Sequence, residues 1–219
     1  MEIINLVLGS YETNCYILYE PGQAEGVVID PGFEPDTIIG KLKAIGVKPK
    51  YILATHGHGD HIGAIPALKE AYPEAQVLVH AADAPMLENS SRSFLNAMGG
   101  TQAPRADGHL KEGDEIICGA IRLRVIHTPG HTAGGVSLLA EDNGCLFAGD
   151  TLFNGSVGRT DLPGGNFDQL ELSIQGKLYH LPAEFTVYTG HGPATSIGKE
   201  KQSNPFVRAD SSTRDDIHG

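Results

Sequence analysis

The chain has 219 residues, of which 40% are hydrophobic and 20% charged, a balance that supports a packed core and excludes a disordered chain. Its net charge of −11 leaves no basic face to release counterions, which excludes nucleic acid as a partner. Apolar stretches such as Tyr51 to Ala54 and Cys145 to Ala148 fall far short of the ~18 residues that a membrane-spanning helix needs.

The length suits one domain over residues 1–219, at ~100–200 residues per domain. Met1-Glu2-Ile3-Ile4-Asn5 carries no basic region of a signal peptide, so a cytoplasmic location is expected. Cys15, Cys118 and Cys145 show no Cys-x-x-Cys spacing, which argues against a disulfide framework or a thiolate zinc site. The 28 Gly and 13 Pro imply many tight turns.

In chain order, strand-like runs are predicted at Glu2 to Val7, Asn14 to Tyr19, Gly26 to Asp30, Lys50 to Ala54 and Gln76 to Val79. Others follow at Glu115 to Cys118, Ile121 to Ile126, Gly135 to Leu139, Cys145 to Ala148 and Phe185 to Thr189. Each is short, rich in Val, Ile and Leu, and bounded by turn residues. Helical spacing places Ile38, Ile39, Leu42 and Ile45 on one face, between Pro35 and Gly46. Phe167, Leu170, Ile174 and Leu178 share another face, closed by Pro182. A shorter helix is expected over Ala64 to Ala71. Asn89 to His109 reads as a long polar loop, and the tail from Gln202 as a segment that frays.

Half of the ten histidines lie in glycine-punctuated motifs at predicted strand ends. Thr55-His56-Gly57-His58-Gly59-Asp60-His61 follows Tyr51 to Ala54. A strand that ends in such a loop can turn imidazoles and a carboxylate toward one point, with backbone room left by the glycines. Imidazole and carboxylate without thiolate suit zinc, iron or manganese. Thr128-Pro129-Gly130-His131, Gly149-Asp150-Thr151 and Thr189-Gly190-His191 repeat the arrangement after three further strands. Each is weak alone, and the ordered series is strong. His80, His109, His127, His180 and His218 fall outside the motifs and read as structural or solvated, and Cys15 as a buried strand residue.

The series His56-x-His58-x-Asp60-His61, His131, Asp150, His191 resembles the metallo-β-lactamase-fold superfamily, in particular its short glyoxalase II-like hydrolases. The likeness runs from Ile29-Asp30-Pro31-Gly32 to Glu200-Lys201-x-x-Asn204-Pro205-Phe206. It implies an α+β fold, a four-layer αββα sandwich with the site at one edge between the sheets. It also implies two divalent metal ions, zinc first and iron or manganese as alternatives. His56, His58 and His131 would hold one, and Asp60, His61 and His191 the other. Asp150 would bridge them, with Asp30 in support. The implied reaction is hydrolysis of a small-molecule thioester of the hydroxyacyl-glutathione type, with Asp60 the catalytic residue that orients a bridging hydroxide.

Glyoxalase II carries Gly-Lys/Arg-x-Tyr after the bridging aspartate, and here the stretch reads Gly158-Arg159-Thr160-Asp161. Arg159 therefore keeps the basic, substrate-binding position, or else serves as an ion-pair partner, and Asp161 replaces the tyrosine. A helical C-terminal domain that grips glutathione is not expected in the 28 residues after His191. Gly-Arg-Thr-Asp also resembles persulfide dioxygenases, which leaves a mononuclear iron dioxygenase on His56, His131 and Asp150 as the alternative.

Overall fold

The computed structural model describes residues 1–87 and 105–208. One sheet runs in the order β1(Glu2–Leu8), β2(Thr13–Tyr19), β3(Glu25–Ile29), β4(Lys48–Leu53), β5(Gln76–His80), β6(Gly108–Leu110). Its first three strands are antiparallel and its last four parallel. The second sheet runs β14(Thr195–Ser196), β13(Thr186–Thr189), β10(Cys145–Gly149), β9(Val136–Ala140), β8(Ile121–His127), β7(Glu115–Cys118). The hairpin β11(Leu152–Phe153), β12(Ser156–Val157) follows the second sheet's β10.

The period-two pattern of the strands sorts their side chains into layers. Leu18, Val27, Ile29 and Leu53 of the first sheet share one core with Leu123, Val125, Leu138 and Phe147 of the second. Their neighbours Ile17, Val28 and Ile52 point the other way, against Ile38 and Leu42 of α1(Pro35–Ile45) and Ile65 and Leu68 of α3(Ile65–Ala71), which follows the short α2(Gly59–Ile62). Ile126, Leu139, Leu146 and Val187 meet Leu170 and Ile174 of α4(Phe167–Gly176) and Ile197 of α5(Ile197–Ser203). The result is helix, sheet, sheet, helix: the α+β, four-layer αββα sandwich expected.

Local chemistry explains the helix ends. Pro35 fits the first turn of α1, and Gly46, at φ 71°, closes it in the left-handed conformation. Asn166 and Ser196 cap α4 and α5 by accepting from the backbone N–H groups of Gln169 and Lys199.

The structure corrects several expectations. The predicted loop over 89–109 ends earlier, because Gly108–Leu110 pairs with β5 as the sheet's edge strand. Its residues 89–104 lie outside the described residues. Gln202 does not begin a frayed tail: it lies in α5, and Asn204 and Val207 beyond it are buried. The Tyr179 hydroxyl donates to the Val207 carbonyl and fastens that end. Residues 209–219 lie outside the described residues. Phe167 starts α4 but is exposed, and the helix stops at Gly176, before a 3-10 turn over Leu178–His180.

Candidate metal centre

The topology brings the four motifs to one edge. β8 and β10 both run antiparallel to β9, and β13 runs parallel to β10, so all three end on the same side. His131, Asp150 and His191 follow those ends. His56 to His61 follow β4 of the facing sheet. The Val136 N–H donates to the Thr55 carbonyl, which ties the two sheets together here.

Four of the five imidazoles are aimed by their outer nitrogen. His61 Nδ1 lies 3.0 Å from Asp30 Oδ2, His131 Nδ1 2.7 Å from the Arg159 carbonyl and His191 Nδ1 2.9 Å from the Tyr11 carbonyl. His56 Nδ1 lies 3.1 Å from Thr55 Oγ1. Fixing the outer nitrogen of an imidazole sets its tautomer and turns the other nitrogen inward. The inner nitrogens then crowd together: His58 Nδ1 is 2.9 Å from His131 Nε2, and His61 Nε2 is 3.1 Å from His191 Nε2.

Two trios of ligand-type atoms result, His56, His58, His131 and Asp60, His61, His191, each with its atoms within 4.8 Å of one another. Asp150 spans them. Its Oδ1 is 3.4 Å from His61 Nε2, and its Oδ2 is 3.5 Å from His131 Nε2 and 3.6 Å from His191 Nε2. Asp30 also falls in a trio with His56 and His61, but its oxygens already accept from the Thr55 N–H and hydroxyl and meet His61. It supports the cluster rather than completing it.

These residues fit divalent cations. The buried His56 Nε2 and Asp150 Oδ1 have no hydrogen-bond partner, an arrangement that a folded protein avoids unless something else meets those lone pairs. Burial first, then the charges of His61, His131 and His58, push His56 well below the ordinary imidazole range. Burial and His131 also lower His58. Both shifts favour the neutral imidazole, the form that ligates a metal. Burial opposes ionisation of Asp60, but the hydrogen bond to His191 and the charge of His61 more than offset it and bring its carboxyl to about 2. Burial likewise opposes charge on His61, and Asp150, Asp30 and Asp60 together raise it to about 9.

Two glycines of the motifs are required by close approach. A Cβ on Gly190 would stand 2.0 Å from Asp150 Oδ1. Gly149 has φ 50°, and a Cβ there would meet Thr55 Oγ1 at 2.3 Å.

A cleft of about 840 Å³ opens beside the cluster, within the usual size range of small-molecule sites. His58, Asp60, His131, Asp150 and His191 share its lining with the apolar side chains of Tyr11, Phe33, Phe153, Val157 and Leu162. Arg159 also lines the cleft, and its guanidinium makes two 2.8 Å bonds to the Asp161 carboxylate. Among the described residues, His80, His109, His127 and His180 belong to neither trio. His80 stacks on His127, with ring centroids 4.3 Å apart, and Cys15 is buried in β2.

Sequence reasoning missed two supports. Glu200, read only as part of a motif, is fully buried. It accepts from the Gly155 N–H, Thr195 hydroxyl and Asn204 amide. With the Asn204 bond to the Ser156 carbonyl, it fastens the β11–β12 hairpin that carries Phe153 and Val157. Asp83, buried beneath the first trio, went unnoticed altogether. No local signal marks either residue, since a charged side chain beside a helix reads as solvated.

The comparisons with known proteins bear on family and fold. A family model described as the metallo-β-lactamase superfamily matches residues 8–191. A hydroxyacylglutathione hydrolase of Haemophilus influenzae is 32% identical, over 96% of this chain and the whole of that protein. The crystal structure of a B3 metallo-β-lactamase, BLEG-1, is 38% identical with a TM-score of 0.86, covering 94% of this chain and 99% of that one. TTHA1623, crystallised in a di-iron-bound form, is 37% identical with a TM-score of 0.82, covering 93% and 100%. By fold and by sequence, this chain belongs to the metallo-β-lactamase superfamily.

Proposed function

We propose that this chain is a binuclear metal-dependent hydrolase that cleaves thioesters of the hydroxyacyl-glutathione type. The observation that carries the reading is Asp150, which faces histidines of both trios where a single-cation site would need one trio only. His56, His58 and His131 would hold one cation, and Asp60, His61 and His191 the second. Asp150 would serve both. The donor set suits zinc, and iron or manganese as well. The di-iron form of the similar TTHA1623 supports iron, and the hydrolase of H. influenzae supports the thioester substrate. Two cations so held supply a water of pKa lowered toward ~7 and an electrophile for a carbonyl oxygen.

The chain's own groups orient the reactants. Asp60 lines the cleft and is ionised, so it accepts a hydrogen bond from a water and holds that water toward the carbonyl. It has no proton to give a leaving group. A thiolate, whose parent thiol has a pKa near ~8.5, departs without one, and an alkoxide does not. Tyr11, Phe33, Phe153 and Val157 give the acyl group and the thiol arm apolar contact and exclude bulk water.

Arg159 is the basic residue that lines the cleft among the described residues and would meet a glutathione carboxylate, although Asp161 already occupies its fork. The pair is exposed, and such pairs are weak in water, so an anionic arm can displace Asp161. Arg159→Ala is expected to raise KM for S-lactoylglutathione by ~3–10-fold, with kcat and metal content unchanged, as loss of uniform binding requires. An unchanged KM makes Arg159 a partner of Asp161 alone.

The test of the whole reading is a metal assay and a thioester-hydrolysis assay on the same sample. Near two metals per chain with turnover of S-lactoylglutathione is the expected result. One iron per chain, with oxygen consumed on glutathione persulfide and the thioester untouched, would replace it with the mononuclear dioxygenase.

A further inference from the structure

We propose that Asp83 is a positioning residue that sets the spacing of the first trio, by clamping the loop that carries His56 and His58 to the loop that carries His131. Asp83 is 1% exposed, lies beyond the end of β5, and belongs to neither the cleft lining nor the trios. Its Oδ2 accepts from the Gly57 N–H at 3.0 Å and from the Thr132 hydroxyl at 2.7 Å. Its Oδ1 accepts from the Gly134 N–H at 2.8 Å.

The placement of those donors is what gives the carboxylate its role. Gly57 separates His56 from His58, and Thr132 is the residue after His131. The loops belong to different sheets, joined at this edge by a backbone bond, Val136 N–H to the Thr55 carbonyl. The buried carboxylate adds bonds to both loops at residues beside His56, His58 and His131, and so sets the separation on which the 2.9 Å approach of His58 to His131 depends. Gly134 is a glycine for the same reason: a Cβ there would stand 2.5 Å from Asp83 Oδ1. The second trio is held by other groups, Asp30 on His61 and the Tyr11 carbonyl on His191. The clamp thus acts on one trio and not on the other.

An amide at position 83 cannot satisfy the three donors. Its nitrogen would face an N–H or the hydroxyl with another donor, which breaks at least one bond and leaves a buried group unmet. Removing a partner that orients metal-binding side chains costs about 10–100-fold in metal affinity.

This inference rests on the two-cation reading, and the experiment separates their failures. Metal-free protein is titrated with cobalt(II), following the visible bands of the bound ion. Wild type is expected to take up two equivalents tightly. Asp83→Asn should weaken one equivalent ~10–100-fold and leave the other within ~3-fold. Thr132→Val removes a single donor and should weaken the same equivalent several-fold, and Thr132→Ser, which keeps the hydroxyl, should restore it. Equal weakening of both equivalents, or wild-type affinity in Asp83→Asn or Thr132→Val, overturns the clamp. If Asp83→Asn does not fold, the Thr132 pair decides alone: Val unchanged, or Ser no better than Val, overturns it. If wild type takes up a single cobalt, the two-cation reading fails. The clamp then stands or falls on whether Asp83→Asn weakens that one.

Discussion

Asp150→Ala should strip the protein of both cations and abolish turnover. The Asp150 carboxylate faces three imidazoles from both trios at 3.4–3.6 Å, and its Oδ1 is buried without a hydrogen-bond partner. A side chain placed in this way would contribute to two coordination spheres at once, so its loss would open both. After dialysis, metal content should fall from near two per chain toward zero, and kcat/KM by more than ~10³, roughly 4 kcal/mol of transition-state stabilisation. The fold should survive, because Asp150 meets side chains of the cluster rather than fastening the backbone. Circular dichroism of the metal-free variant checks that. A variant that retains two metals at wild-type affinity would falsify the bridging role.

How much of this was legible beforehand follows from how local each signal is. The metal cluster was legible because each piece is written within a few residues: an apolar run, a glycine, a ligand-type side chain. The long strands and α1 were legible for the same reason, since Pro35, Gly46 and the spacing of Ile38 and Leu42 all lie within one helix. β6 escaped because three residues, one of them His109, give no alternation to read. β11, β12 and β14 have two residues each, too few for a period. α5 begins with Ile197 but buries Glu200, and a glutamate on a short helix normally signals solvent.

Asp83 marks the limit most clearly. Its partners lie 26, 49 and 51 positions away, and only the closed sandwich brings them together. Sequence spacing shows which residues could hold a metal. It does not show which residues hold those side chains still, because that work is done by single carboxylates meeting distant backbone.

Asp30 was legible as a support, and the structure makes its removal the second severe change. It is fully enclosed, at 2% exposure, and accepts from the Thr55 N–H and Thr55 hydroxyl, both at 2.7 Å, while facing His61 Nδ1 at 3.0 Å. Asp30→Ala leaves those groups buried without a partner, at ~1–3 kcal/mol each. Asp30 also sits at φ 52°, a conformation that Asp and Asn tolerate better than Ala does. The three groups sum to a loss of roughly 3–9 kcal/mol, equivalent to a Tm lower by at least about 6 °C at this chain length. Asp30→Asn keeps one acceptor and the backbone preference and should lose less than half as much. Because His61 loses the group that orients it, the second trio should also bind its cation more weakly in both variants, by ~10–100-fold. Thermal melts of the metal-free proteins isolate the structural part, since no cation then contributes to the wild-type Tm. If Asp30→Ala melts within ~2 °C of wild type, the carboxylate is not what holds Thr55 and His61 in place.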